Sequence, residues 1–198
     1  MKKFLPLIII AVLAIGIYAW VKGINNTAVT LNENIKESWG NVETAYERRN
    51  SLIGNLVNTV KGAADFEKST LEAVISARSK ATQTTVDASN VTPEQLAAFS
   101  QAQSGVNSAL SRLLVTVEKY PDLKANQNFI KLQDELVSTE NQILTARTRF
   151  NETVKPYNNH IKVFPNNLLA GILGFTEKGY FKASEGAEKA PEVNFDFK

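Results

Sequence analysis

Few residues in this sequence are equipped for chemistry, and they are spread thinly. His160 is the sole imidazole and cysteine is absent, which excludes disulfides, thiolate metal sites, a cysteine nucleophile and a multi-histidine metal centre within one chain. A Ser-His-Asp arrangement would have only this one base available. Within NNHIK, His160 reads as a surface or helix-packing residue. Glu135 and Glu140 stand close together on a charged segment, where a glycosidase-like acid pair and a pair of solvated or salt-bridged carboxylates compete; the charged surroundings favour the second. The glycines of GNLVNTVKG (54–62) follow neither a strand nor a turn, so they do not form a phosphate-binding loop. Trp39, Tyr46 and Phe66 form an aromatic stripe at helical spacing, which reads as core. No catalytic, cofactor-binding or metal-binding residue is expected, and the chain reads as a non-enzyme.

Arg49 is the residue that asks for an explanation. Ile35, Trp39, Val42, Tyr46, Arg49, Ile53, Leu56 and Val60 step by four and three along one helix face. A guanidinium that never loses its charge therefore stands in an apolar file. Buried alone it would be costly; with a carboxylate it is tolerable and can fix helix register. Glu118 ends the stripe of a second helix and Glu140 lies beside Leu136 and Ile143 in a third. Arg49 is expected to pair with Glu140 or Glu118 as a structural ion pair. The competing reading has its stem packed and its head reaching water at the stripe's edge.

The elements that would position these groups are helical throughout. No proline interrupts residues 27 to 82, and the stripe continues through Phe66, Leu71, Val74 and Ala77, which allows one long first helix. TQTTVDASNV (82–91) breaks it, and TPEQ (92–95) supplies a cap, a proline at the first helical position and Gln95 in capping-box register. The second helix presents Leu96, Phe99, Val106, Leu110, Leu113 and Val117, and stops at Tyr120-Pro121 because a residue before proline avoids the helical region. A third carries Phe129, Leu132, Leu136, Ile143, Phe150, Val154, Tyr157 and Ile161, with Pro156 inside the run and expected to kink or split it. Asn151, Asn158 and Asn159 are candidates for hydrogen bonds between chains, and simple solvent exposure accounts for them equally well. After Phe164-Pro165, the apolar stretch NNLLAGILGF could cap the bundle, lie on a membrane surface or meet a neighbouring subunit. It precedes a Gly-, Glu- and Lys-rich tail expected to be loosely ordered.

The N-terminus speaks on location. Phe4 to Val21 contains no charge and, as a helix, is just long enough to cross about 30 Å of hydrocarbon. Phe4, Leu7, Ile10, Leu13 and Ile17 would face lipid, with Tyr18 and Trp20 in the interfacial belt. IYAWVKG lacks an A-x-A-like cleavage site, which favours an uncleaved signal anchor over a signal peptide. Lys2 and Lys3 outweigh Lys22, so the amino terminus is expected in the cytoplasm and the helical body outside it. With almost nothing inside, the chain would need a membrane-spanning partner to signal inward. These three lysines account for the formal net charge of +2 and leave a near-neutral body, which argues against nucleic acid as a partner.

Several strings then carry a family resemblance. ERRNSLIGNLV (47–57) after Trp39-x-x-Val42, EKYPDLKANQNFIKLQDEL (118–136), STENQILTARTRFNETVKPYNNHIKVFP (138–165) and the closing Gly174-Phe175 and Tyr180-Phe181 pairs resemble the LemA family in the right order, from about residue 25 to 182. Departures are Gly54, where that family commonly has proline, and Phe150, where tyrosine is common. The resemblance implies a membrane-anchored, mostly helical bacterial protein with no catalytic residues to transfer, and, through a magnetosome member, a part in organising membranes. The expected fold is all-α: an N-terminal transmembrane helix (1–24), an antiparallel bundle of long helices (25–165), and the apolar segment with its tail (166–198). The expected function is a self-associating, non-enzymatic scaffold in the bacterial inner membrane, with lipid, its own copies and another membrane protein as candidate partners, no nucleic acid and no cofactor. The alternative is an extracytoplasmic adaptor or sensing bundle for a membrane protease or receptor.

Overall fold

A computed structural model describes residues 4–62 and 66–183. Lys2 and Lys3, on which the orientation argument rests, and the tail from residue 184 lie outside the described residues. Among the described residues six helices follow one another: α1 Leu5–Lys61, α2 Lys68–Gln83, α3 Pro93–Val117, α4 Pro121–Lys124, α5 Gln127–Lys162 and α6 Asn167–Ala170. Among the described residues there is no strand.

At 57 residues, α1 is about 85 Å long, and it serves as both anchor and central strut. The expected continuation of this helix to residue 82 does not occur. Lys61 is its last residue and Gly62 its C-cap, while the apolar stripe resumes in α2 with Leu71 and Val74, buried in one core with Leu52, Leu56 and Val60. A straight continuation would leave those side chains without a partner. Folding back buries them, and glycine, about 1 kcal/mol less favourable than alanine inside a helix, marks where the turn is least costly. Phe66 follows the break and packs on Tyr120, with ring centroids 4.9 Å apart.

Helix starts use local chemistry. Thr92 Oγ1 accepts from the Gln95 amide at 3.2 Å and Gln95 Oε1 accepts from the Thr92 amide at 3.3 Å, completing the capping box of α3. Asn126 Oδ1 accepts from the amides of Asn128 and Phe129 at the start of α5. Pro156 does not split α5, which stays helical from Gln127 to Lys162. Packing of Val154, Tyr157 and Ile161 on the core holds the helix together across the lost backbone bond.

Two apolar layers stack along the bundle. The layer nearer the anchor centres on Trp39, whose ring lies 5.4 Å from Phe99, 5.5 Å from Phe150 and 6.1 Å from Phe181. The far layer gathers Ile53, Leu56, Val60, Leu113 and Phe129. Helix α5 runs antiparallel to α1: Glu140 meets Arg49 and His160 meets Ile24. α2 and α3 form the other half of the bundle.

Residues 176–183, read from the sequence as the start of the loosely ordered tail, are instead an extended strap along α5. Asn158 Nδ2 donates to the Lys178 carbonyl at 2.8 Å and its Oδ1 accepts from the Lys178 amide at 2.9 Å. Asn151, seven residues earlier, makes the same pair with Phe181, both at 2.9 Å. These two asparagines thus bind their own chain, where bonds between chains or solvent exposure were expected; Asn159 is exposed to solvent. The strap also covers the α2–α3 loop, because Gly179 N donates to Val91 O at 3.0 Å and Lys178 Nζ donates to Ser89 O at 2.8 Å.

Candidate functional site

Arg49 sits where the two core layers meet, between Tyr46 and Ile53 on α1, opposite Gln103 on α3 and Glu140 on α5. It is 1% exposed, so it does not reach out to water at the edge of the stripe. Nη1 donates to Glu140 Oε1 and Asn107 Oδ1, each at 2.8 Å, and Nη2 donates to Gln103 Oε1. The guanidinium also lies 4.9 Å from the centre of the Tyr46 ring, close enough for a cation–π contact. Its Nε is buried without a partner. Glu140 is half-exposed, so a surface carboxylate reaches in to meet a fully buried cation.

Of the two carboxylates expected near Arg49, only Glu140 is there. Glu118 caps the end of α3 and pairs with Lys124 across the turn into α4. The physical reason is register. Glu118 lies at the far end of the bundle, and the α3 residues level with Arg49 are Gln103 and Asn107. Those two amides form the part of the cage that sequence reasoning missed. Their signal was a four-residue step of polar side chains flanking the otherwise apolar Val106.

Burial lifts the Tyr46 hydroxyl above its ordinary range against the opposing pull of Arg147 and Arg49. It also lifts Tyr157, which a hydrogen bond with the Thr176 backbone partly offsets. Lys178 is pushed down by burial, with nearby Asp87 acting the other way. Among the described residues no group of three or more His, Asp or Glu could hold a metal. Two open grooves mark the surface, one between α2 and α3 with Ala77 and Ala102 among its lining residues, the other between α1 and α5 beside Pro156.

His160 has a structural task. Its Nε2 lies 3.0 Å from Ile24 O, and Asn166 Nδ2 approaches its Nδ1 at 3.4 Å while donating to its backbone carbonyl at 2.9 Å. With the proton on Nε2, one ring nitrogen donates to α1 and the other accepts from Asn166. The end of α5 is thereby clipped to α1 where the exposed anchor begins. That anchor, from Phe4 through Tyr18, has its large apolar side chains in the open, including Leu7, Ile10, Leu13 and Ile17. It is the one described helix with a window apolar enough to cross a membrane.

Comparison with known proteins gives this arrangement a family. A model described as the LemA family matches residues 38–195, which takes in every element from the Trp39 core to the strap. The chain belongs to the LemA family. Magnetosome protein MamQ 2 of Paramagnetospirillum magneticum is 30% identical to it over 178 residues, covering 79% of this chain and 64% of the relative. MamQ of Magnetospirillum gryphiswaldense is 30% identical over 177 residues with the same coverage. Protein LemA of Metamycoplasma hominis is 26% identical over 179 residues, covering 90% of this chain and 78% of that one. The chain thus spans only about 64% of the length of the MamQ proteins it matches. None of these names is that of an enzyme, and this LemA-family chain is a membrane-anchored helical protein. At Gly54 α1 runs on unbroken, and the Arg78 guanidinium lies within van der Waals reach of the place a side chain would take.

Proposed function

We propose that this LemA-family chain is a non-enzymatic scaffold whose copies associate side by side in a membrane and organise other components there. The observation that carries the reading is a seam on the outer face of α5. Ile130, Val137 and Leu144 are exposed apolar residues spaced by seven, the interval that keeps one helix face turned to a neighbour. Because α5 packs lengthwise on α1, and α1 continues without a break into the anchor, the seam runs along the bundle around and beyond the Arg49–Glu140 level, in the half far from the anchor, and faces sideways. Neighbours anchored in the same membrane share one orientation and a raised effective concentration, so a narrow seam suffices where it would not in solution. Inner-membrane residence, with the amino terminus in the cytoplasm and the body outside, is part of this reading. So are the absence of a nucleic-acid partner and of catalysis.

The test is the mass of the full-length protein in lipid discs, beside a version starting at Asn26 and a full-length Val137→Glu/Leu144→Glu variant. The scaffold requires a uniform assembly of full-length chains that shrinks when either the anchor or the seam is lost. Monomers in all three preparations refute it and direct attention to a membrane-protein partner.

A further inference from the structure

The loop between α5 and the strap raises a question about the membrane that the anchor does not answer. From Val163 to Thr176 there is no charged residue. Backbone bonds from Ala170 to Asn166 and Leu173 to Leu169 carry helical turns through α6 and one turn past it, so Leu168 and Ile172, four apart, share a face. Before α6, Val163 is extended and sets Phe164 outside that helical register, and the Phe164-Pro165 bond is cis. Phe164, Leu168 and Ile172 are 78%, 60% and 81% exposed, while Ala170 on the opposite side of α6 is buried in the core. A soluble bundle rarely shows three large apolar side chains together at one end.

The position of this face along α1 is fixed by contacts. His160 meets the carbonyl of Ile24, and Asn166 donates to the His160 carbonyl, which holds the start of α6 at the level of Ile24. Exposure along α1 falls toward that level: Tyr18 is 68% exposed, Trp20 38%, and Ile24 is buried. Ile24 lies four residues past Trp20, about 6 Å further along the helix. The polar layer outside the hydrocarbon is itself roughly 5 to 7 Å thick on each side. An anchor that places Trp20 at the interface therefore brings the loop into the headgroup layer.

We propose that Phe164, Leu168 and Ile172 insert into the outer edge of the bilayer, giving the bundle a second membrane contact beside its anchor. The occupant is lipid, because the exposed face is held at the level of Ile24, within about 6 Å along α1 of the anchor's interfacial tryptophan. The contact is apolar: Lys162 is paired with Glu177, so attraction to anionic headgroups is not its basis. Two points of contact would fix the tilt and rotation of the bundle about its anchor, which a single helix leaves free. The inference rests on the anchor spanning the membrane but not on self-association.

The absence of cysteine makes the test clean. Single variants Ile172→Cys, Val115→Cys on exposed α3 and Ile10→Cys in the anchor, each in the full-length chain, carry a nitrobenzoxadiazole label in phosphatidylcholine vesicles. Lipids bearing a spin label near the headgroup should quench the Ile172 label several-fold more than the Val115 label, with little change on adding salt. Aqueous iodide should show the reverse order. A label at 172 as open to iodide as that at 115, and as indifferent to lipid quencher, overturns the proposal. So does a label shielded from both quenchers, which would mean that protein, such as a second copy, covers the face. Failure of deep spin-labelled lipid to quench the Ile10 label would overturn the anchor itself, and is read separately from the other two.

Discussion

The cage around Arg49 makes a prediction in which one substitution changes sign. Replacing Arg49 by methionine keeps most of the packed stem and removes a buried charge. Of its three acceptors, Asn107 and Glu140 are exposed enough to turn to water, and only the Gln103 oxygen stays buried. One orphaned amide costs about 1 to 3 kcal/mol, and release of the guanidinium and its unpartnered Nε offsets part of that. Arg49→Met should therefore lose about 1 to 2 kcal/mol. Removing the acceptors is worse. Gln103→Leu with Glu140→Leu leaves a buried guanidinium facing a single side-chain amide, a loss of about 3 kcal/mol, the low end for a broken buried pair because Glu140 is partly screened. For a chain of this size that is roughly 6 to 12 °C in Tm. Adding Arg49→Met to that background should restore most of the loss, so the same change destabilises the parent and stabilises the double variant. Thermal and urea melts of the four proteins measure this cycle. Additive effects within about 0.5 kcal/mol would refute the cage as the reason Arg49 is tolerated in the core. A parent-like near-UV circular dichroism spectrum for Arg49→Met would refute its role in setting register.

Three further outcomes follow from the strap and from burial. At Gly179 a Cβ would sit 2.9 Å from both Cα and N of Pro93; Gly179→Ala should cost about 1 to 3 kcal/mol in urea melts, as overpacking against fixed backbone does. Asn151→Ala with Asn158→Ala removes four bonds to the strap backbone, and amide hydrogen exchange should speed up at Lys178 and Phe181 well before the core exchanges. On alkaline titration the signs oppose. Tyr46 and Tyr157 have raised folded values, so their stabilisation is present below pH 10.0 and lost as pH rises through those values. Lys178 has a lowered folded value, so it adds stability as pH rises through that value toward 10.5. Between pH 8 and 11, Tyr46→Phe/Tyr157→Phe should lose less stability than the parent, and Lys178→Met more.

The sequence by itself determined whatever depends on neighbours along the chain. The start of α3 was legible because Thr92, Pro93 and Gln95 satisfy its first amides locally, and Tyr120-Pro121 ends the helical run for a steric reason that needs no partner. The charge-free run from Phe4 was legible because a bilayer reads only length and polarity, and the oddity of Arg49 because helical periodicity alone placed it among Trp39, Tyr46 and Ile53. What remained undecided depended on which faces meet. The stripe from Ile35 to Ala77 fits one straight helix or a hairpin equally well, and the burial of Leu71 and Val74 against the far core chose the hairpin. Local reasoning offered Arg49 two carboxylates; register along the bundle put Glu140 beside it and left Glu118 at a distant turn. Asn151 and Asn158 looked like polar positions open to another chain, because a side-chain amide carries no mark of the backbone it will bond. The strap they hold has no periodicity of its own. Its conformation comes from the groove it fills, and that groove exists only once α5 and the α2–α3 loop have packed.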